Sequence, residues 1–374
     1  MTADHFGAHV AADGFSAPYR VAMALATSLY GFLGLWLSFS LTREHFPEKW
    51  AFLSTIGIWG ASSLPVYMYF NPSWSHAHSV FAVVLFLWYW HRNRARRRPH
   101  QWRLLGLLSG LMVDVYYPNG VFLLIPLMEA VSNYAREWNP LHDRLRRTKS
   151  LLFSHALYVV TFIVGLLPTL VSRLIIFGSA LKTGYFPARS WKWSSPALWA
   201  VLWSSDHGLL SWTPILILAL AGLGLFYRKD RSFGVKLIVC AFAFYLLIAF
   251  YPDWDGLASF GNRFFISMTP LFILGLAASF DWLTRVWNQR RATAAATALI
   301  GLLILWNFGM MYQWGVHLIP ARVPISWRQA VYNQFAVVPG SAYRNLEDYL
   351  TRRGRLMQRI EDEDIKQLKS QHPN

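Results

Sequence analysis

Two carboxylates, one arginine and a glycine-rich turn crowd into residues 251–270, YPDWDGLASFGNRFFISMTP. Asp253 and Asp255 stand two apart, a spacing that serves acid/base chemistry or pairing with the nearby cation Arg263. Arg263 falls where an apolar run begins. Its planar guanidinium suits a lipid phosphate through paired hydrogen bonds, and the same spacing fits an interfacial anchor that snorkels to headgroups. Asp114 lies in an apolar run, where a carboxylate acts as base, metal ligand or partner of a buried cation; its structural alternative is a partner for Asn119 or Tyr116. His76 and His78, two apart, point the same way on an extended loop and can touch a metal or a phosphate, or bond to backbone at the interface. Two histidines do not define a metal centre, so no metal ligand is assigned and a divalent ion stays open as a cofactor. Trp212 opens a Trp-Thr-Pro helix start, suited to packing or to stacking on a sugar.

The elements that must hold these residues are membrane helices. Of 374 residues, 55% are hydrophobic and only 14% charged, against about 25% charged in soluble domains. Several apolar runs reach the roughly 20 residues that cross a bilayer, and the short alternating segments of a β-barrel are absent. The fold class is therefore all-α and polytopic. The net charge of +16 sits in short loops between apolar runs, a pattern that orients helices and does not call for nucleic acid. Cys240 is the single cysteine, which excludes a disulfide framework or a CxxC metal site within the chain. The first twenty residues lack a basic stretch followed by an apolar one, so no signal peptide is expected there.

Spans are expected over residues 21–41, 51–70, 80–90, 151–177, 209–227, 233–250, 264–280 and 293–312. Residues 104–131 form a pair of half-helices broken at DVYYPNG (114–120), giving about ten segments. The arginine-rich run 91–103 marks its side as cytoplasmic. Parity then puts 42–50, 133–149, 228–232 and 281–291, each with Arg or Lys, on that side. The N-terminus, 71–79, 114–120, 178–208 and 251–263 fall on the other, with Asp4, Asp13, Asp114, Asp206, Asp253 and Asp255. Residues 1–312 make the membrane domain. Residues 313–374 form a polar tail, placed outside by parity, with one amphipathic helix over 345–368.

Signatures such as GxSxG, HExxH, GxxxxGK[ST] and GxGxxG are missing. Two segments carry a resemblance: GLLSWTPILILALAGL (208–223), then D-G-x-x-S-F-G-N-R-F-F-x-x-x-x-P-L-F (255–272), preceded by NPSWSHAHSVF and GLMVDVYYPNG. In this order they resemble bacterial membrane glycosyltransferases of the C-type fold, relatives of protein O-mannosyltransferases and of lipid A aminoarabinose transferases, over residues 16–312. The resemblance implies a polyprenyl-phosphate sugar as donor, an unknown acceptor, reaction on the outer face of a bacterial inner membrane, and inversion at the sugar carbon. On it, Arg263 takes the place of a phosphate-binding arginine, Asp114 and Asp255 are the catalytic candidates, and His76, His78, Asn119 and Trp212 join Arg263 in binding substrate. The family's acidic loop behind a first helix is not identifiable here, which leaves a truncated or mis-started member, or Asp13 in that loop's place. The alternatives are a non-catalytic relative or subunit, or a solute transporter, whose broken helices and intramembrane carboxylate this chain shares.

Overall fold

A computed structural model describes residue 11 and residues 13–95, 97–137, 144–182 and 191–371. Asp4, Arg96, Pro187 and the parts of the expected loops at 138–143 and 183–190 lie outside the described residues. Among the described residues the chain forms fifteen α-helices and no strand. They are α1 (Ala17–Arg43), α2 (Glu48–Gly60), α3 (His76–Asn93), α4 (Pro99–Val115), α5 (Leu124–Glu137), α6 (Arg144–Phe177), α7 (Leu198–Trp203), α8 (Leu209–Trp212) and α9 (Ile215–Lys229). There follow α10 (Arg231–Ala249), α11 (Thr269–Val286), α12 (Gln289–Gly315), α13 (Trp327–Tyr332), α14 (Val338–Thr351) and α15 (Arg353–Gln371). A π-helical turn, Val66–Phe70, precedes α3, and 3₁₀ turns at Tyr117–Leu123 and Arg263–Met268 lead into α5 and α11.

Among the described residues five helices are long and apolar enough to cross a membrane: Ala17–Arg43, Thr148–Phe177, Arg231–Ala249, Arg263–Val286 and Gln289–Gly315. Other apolar runs fold as shorter helices. The run expected at 51–70 ends its α-helix at Gly60 and resumes as the π-helical turn. The break at 114–120 falls where Pro118 and Gly120 predict it. Tyr116 is extended, with φ −159° and ψ 116°, and the chain continues as a 3₁₀ turn. Histidines 76 and 78, expected on a loop, lie on the first turn of α3 because the helix starts four residues before the apolar run.

The segment Arg263–Val286 is the centre of the bundle, with 83% of its most apolar stretch buried. It packs on α9 almost backbone to backbone. A Cβ on Gly222 would sit 1.8 Å from the Gly275 carbonyl oxygen, and one on Gly275 would sit 2.0 Å from that of Ala219. Small residues allow this approach, and close helix contacts are a main source of attraction where lipid removes the hydrophobic drive.

The bundle has two chemically different ends. At one, Arg92 pairs with Glu44 at 3.0 Å, Arg94 with Asp230 at 2.6 Å, Arg97 with Glu129, and Lys49 bonds Thr293 at 3.1 Å. Three of the five stretches predicted to share a basic side, 42–50, 91–103 and 228–232, therefore meet there. The other end gathers Tyr67, Trp74, His207, Asp255 and Arg263. The tail folds back on the bundle: Gln313 donates to the Ala330 carbonyl at 3.1 Å, and Asn345 donates to the Tyr312 hydroxyl at 2.7 Å. The single helix expected over 345–368 is two, because Arg352 leaves helical geometry at φ −141°, ψ 40°. Like charges at Arg352, Arg353 and Arg355, with Gly354 among them, weigh against a continuous helix there.

The α9–α11 contact gives a direct expectation. Gly222→Ala should lower stability by about 1–3 kcal/mol, the usual cost of overpacking a tight contact. Gly224→Ala, where an added Cβ meets nothing within 4 Å, should leave it unchanged or slightly higher. Thermal unfolding of the two purified variants measures the difference.

Candidate functional site

The loop between α10 and the Arg263–Met268 turn is shaped by its own hydrogen bonds. Gly256 N–H donates to the Asp253 carbonyl at 2.9 Å, the Asn262 side-chain amide to the Trp254 carbonyl at 3.1 Å, and Ser259 Oγ to the Gly261 carbonyl at 2.9 Å. Gly256 and Gly261 have φ of +75° and +58°, which glycine takes without steric cost. Leu257 does so too, at +56°, a strained conformation of the kind that clusters at functional sites. The loop is pinned to the bundle where Phe260 N–H donates to the Tyr67 hydroxyl at 3.1 Å.

This folding brings Arg263 onto an aromatic wall. Its guanidinium carbon lies 3.7 Å from the ring centre of Trp74 and 5.5 Å from that of Phe264, close enough for a cation–π interaction. Behind Trp74 the rings continue: Trp74 stacks on His76 at 5.9 Å, and His76 meets Tyr67 at 5.1 Å and Tyr116 at 5.4 Å. Trp74 keeps 37% of its surface exposed, so the wall faces outward on one side. Stacking on an indole fixes the guanidinium plane while leaving its edge N–H groups directed in that plane, the arrangement that binds phosphate oxygens in pairs.

Beside the wall lies a second group. Asp206, His207 and Asp255 each offer a ligating atom, all within 4.8 Å of one another. His207 is fully buried; its Nδ1 is 3.0 Å from the Asp255 carbonyl oxygen and 3.7 Å from Asp206 Oδ1. Its ring packs on Trp212 at 5.0 Å, and Trp212 packs in turn on Phe260 and Trp327. The local fold explains the position: His207 has φ +57°, the Gly208 N–H returns to the Ser204 carbonyl at 3.0 Å, and Trp212 Nε1 donates to the Ser205 carbonyl at 3.1 Å. Burial pushes the Asp206 carboxyl above the usual carboxylate value, partly offset by His207 and reinforced by Asp255. Burial also holds the His207 imidazole below its usual value, against the opposing pull of Asp206. The group thus combines a carboxylate of raised basicity with a neutral imidazole. Asp206 Oδ1 and His207 Nε2 are buried with no hydrogen-bond partner, so a divalent ion on these three residues would satisfy both. A similar trio at the basic end, His45, His91 and Asp230, has its carboxylate committed to Arg94 and to the Phe233 N–H.

The residues singled out in the sequence divide. Asp255, Arg263, His76 and Trp212 gather at this end, with Asp253 in the same loop. His78 turns away, its ring against Tyr30 at 5.2 Å, because residues two apart on a helix lie on different faces. Asp114 accepts the Thr169 N–H at 2.8 Å, beside Pro168 within α6, and ties α4 to α6. Asn119 is fully buried, bonded to Ser79 Oγ at 2.8 Å and to the Met112 carbonyl at 2.9 Å. Both residues thereby hold the broken helix in place. Sequence reasoning did not single out Trp74, Tyr67, Asp206 or His207; adjacent Asp206-His207-Gly208 on an outer loop was the one legible signal.

Two outcomes follow. Asp114→Ala should cost about 1–3 kcal/mol of stability by orphaning a Thr169 donor, while ligand binding at the Arg263 end is unchanged, as read by unfolding and ligand titration on the same variant. His207 binds protons less readily folded than unfolded, where histidine titrates near 6.5. Its contribution is therefore present above the unfolded value and is lost as pH falls through about 6.5. Unfolding followed between pH 8 and pH 5 should show that loss, shallower in His207→Gln than in the parent.

No protein-family model matches the chain and no curated protein is measurably similar to it, so the glycosyltransferase resemblance has no support from either comparison.

Proposed function

We propose that this chain is a multi-pass membrane transferase that moves a sugar from a polyprenyl-phosphate donor to an acceptor, at the end of the bundle opposite its basic loops. In this reading the five spanning helices and the shorter apolar helices together make a bundle of about ten segments in a bacterial inner membrane. The basic loops face the cytoplasm and the Arg263 end faces outward. The observation that carries the proposal is the Arg263 guanidinium stacked on Trp74 at 3.7 Å, next to the Asp206–His207–Asp255 group. A lipid-borne phosphate needs a cation at the bilayer edge, and a planar cation presented on an aromatic wall suits that task.

The chemistry assigns roles to the neighbours. A carboxylate of the Asp206–Asp255 pair takes the proton of an acceptor hydroxyl, whose oxygen attacks the sugar carbon. The bond from that carbon to the phosphate oxygen breaks, its electron pair leaves with the phosphate, and Arg263 stabilises the charge that develops there. Attack opposite the leaving group inverts the sugar carbon. The raised basicity of Asp206 favours it as the base. A divalent ion held by Asp206, His207 and Asp255 would supply further positive charge to the leaving phosphate. Exposed indole surface on Trp74 offers an apolar contact for the sugar, while Trp212 is buried and supports His207. The solute-transporter reading draws on the broken helices and on the intramembrane Asp114, which is engaged by the Thr169 N–H.

Protein reconstituted in liposomes with a radiolabelled polyprenyl-phosphate sugar tests the proposal. The parent should bind the donor. Arg263→Ala should weaken binding about 10-fold or more, from loss of charge-assisted bonds, with Arg263→Lys between. Asp206→Asn should retain binding and lose release of label from the lipid. Absence of donor binding, or binding indifferent to Arg263→Ala, would overturn it.

A further inference from the structure

A cavity of about 800 Å³ opens at the basic end of the bundle, far along the helices from Arg263, and nothing in the proposed reaction uses it. Its walls come from α3, α4, α5, α6 and the start of α10, and its charged lining is Arg94, Arg97 and Lys236 against Glu129 and Asp230. Among the described residues, three cations and two carboxylates line it. Arg97 has 1% of its side chain exposed, pairs with Glu129, and lies over the Trp102 ring at 4.8 Å. Its Nε–H is buried without an acceptor. Arg94 bonds Asp230 through one nitrogen at 2.6 Å, which leaves most of its five N–H groups for another ligand. Lys236 is 8% exposed and donates to the Ser232 carbonyl at 3.0 Å and to the Ser232 hydroxyl at 3.2 Å.

Burying this much cationic hydrogen-bonding capacity is costly unless an anion meets it. The helices that wall the cavity say which kind. On their other faces α5 carries Leu127 and Val131 and α6 carries Leu152 and Phe153, all more than half exposed. A cationic cavity between helices whose outer faces are apolar has the two-part character of an amphiphile site. Basic pockets between membrane helices on the cytoplasmic side are where anionic headgroups bind.

We propose that this cavity holds the headgroup of an anionic phospholipid, its phosphate bonded by Arg94, Arg97 and Lys236 and its acyl chains lying along α5 and α6. The proposal does not depend on what the Arg263 end does.

Native mass spectrometry of the full chain, titrated with phosphatidylglycerol and separately with phosphatidylcholine, tests it. The parent should prefer the anionic lipid on the order of 10-fold or more, and the Arg94→Gln/Lys236→Gln double variant should lose most of that preference. Glu129→Gln removes a negative charge and keeps the shape, so it should strengthen phosphatidylglycerol binding, a gain that misfolding cannot produce. Equal binding of the two lipids by the parent would overturn the proposal. So would a preference that neither variant changes. Titration with inorganic phosphate separates the sources: tight binding of free phosphate without lipid preference would reassign the cavity to a soluble anion.

Discussion

A helix buried on every side within a bilayer has nowhere to put a charge along its length. The segment Arg263–Val286 meets this constraint: its charged residues are Arg263 at one end and Asp281 and Arg285 towards the other. Because Gly222 and Gly275 lock α9 and α11 together at backbone distance, Arg263 cannot slide along the bundle axis. It must emerge at the mouth, and the mouth must be built to receive it. The π-helical turn before α3, the Trp74 wall, the strained 251–262 loop and the buried His207 are all arranged around that exit.

The two ends of the molecule handle charge by different means. At the basic end, cations are neutralised in place by paired carboxylates, as with Arg92 and Glu44 or Arg94 and Asp230. At the Arg263 end the cation is carried by aromatic faces, and a carboxylate is held nearby with its basicity raised by burial. Pairing suits a surface that must orient helices and meet headgroups. Aromatic support suits a cation that meets a ligand, since a ring attracts the guanidinium through its face.

Much of this was legible in the sequence. Arg263, Asp255 and the turn glycines were visible as a polar island between apolar runs, and DVYYPNG announced a break through Pro118 and Gly120. The grouping of basic loops followed from charge and parity, and the bundle brings Glu44, Arg92, Asp230 and Thr293 to one end. What escaped were features that depend on where a helix begins or which distant side chain comes alongside. His76 and His78 read as a pair only on an extended loop; α3 starting at His76 separates them. Asp114 read as a base, a metal ligand, a partner of a buried cation or a partner of Asn119 or Tyr116, and a backbone N–H beside Pro168 meets it from 55 residues away. Trp74 and His207 carry no motif, and their importance comes from tertiary contact alone.

The central claim, that the Arg263 end receives a lipid phosphate, is tested most directly by photo-crosslinking. A polyprenyl phosphate carrying a diazirine near its phosphate is irradiated with the reconstituted protein, and the adducts are mapped by peptide mass spectrometry. The account predicts adducts on the segments carrying Trp74, Asp206–Gly208 and Asp255–Phe264, lost in Arg263→Ala. Adducts confined to the basic end, or spread along the helices and unchanged by Arg263→Ala, would contradict it.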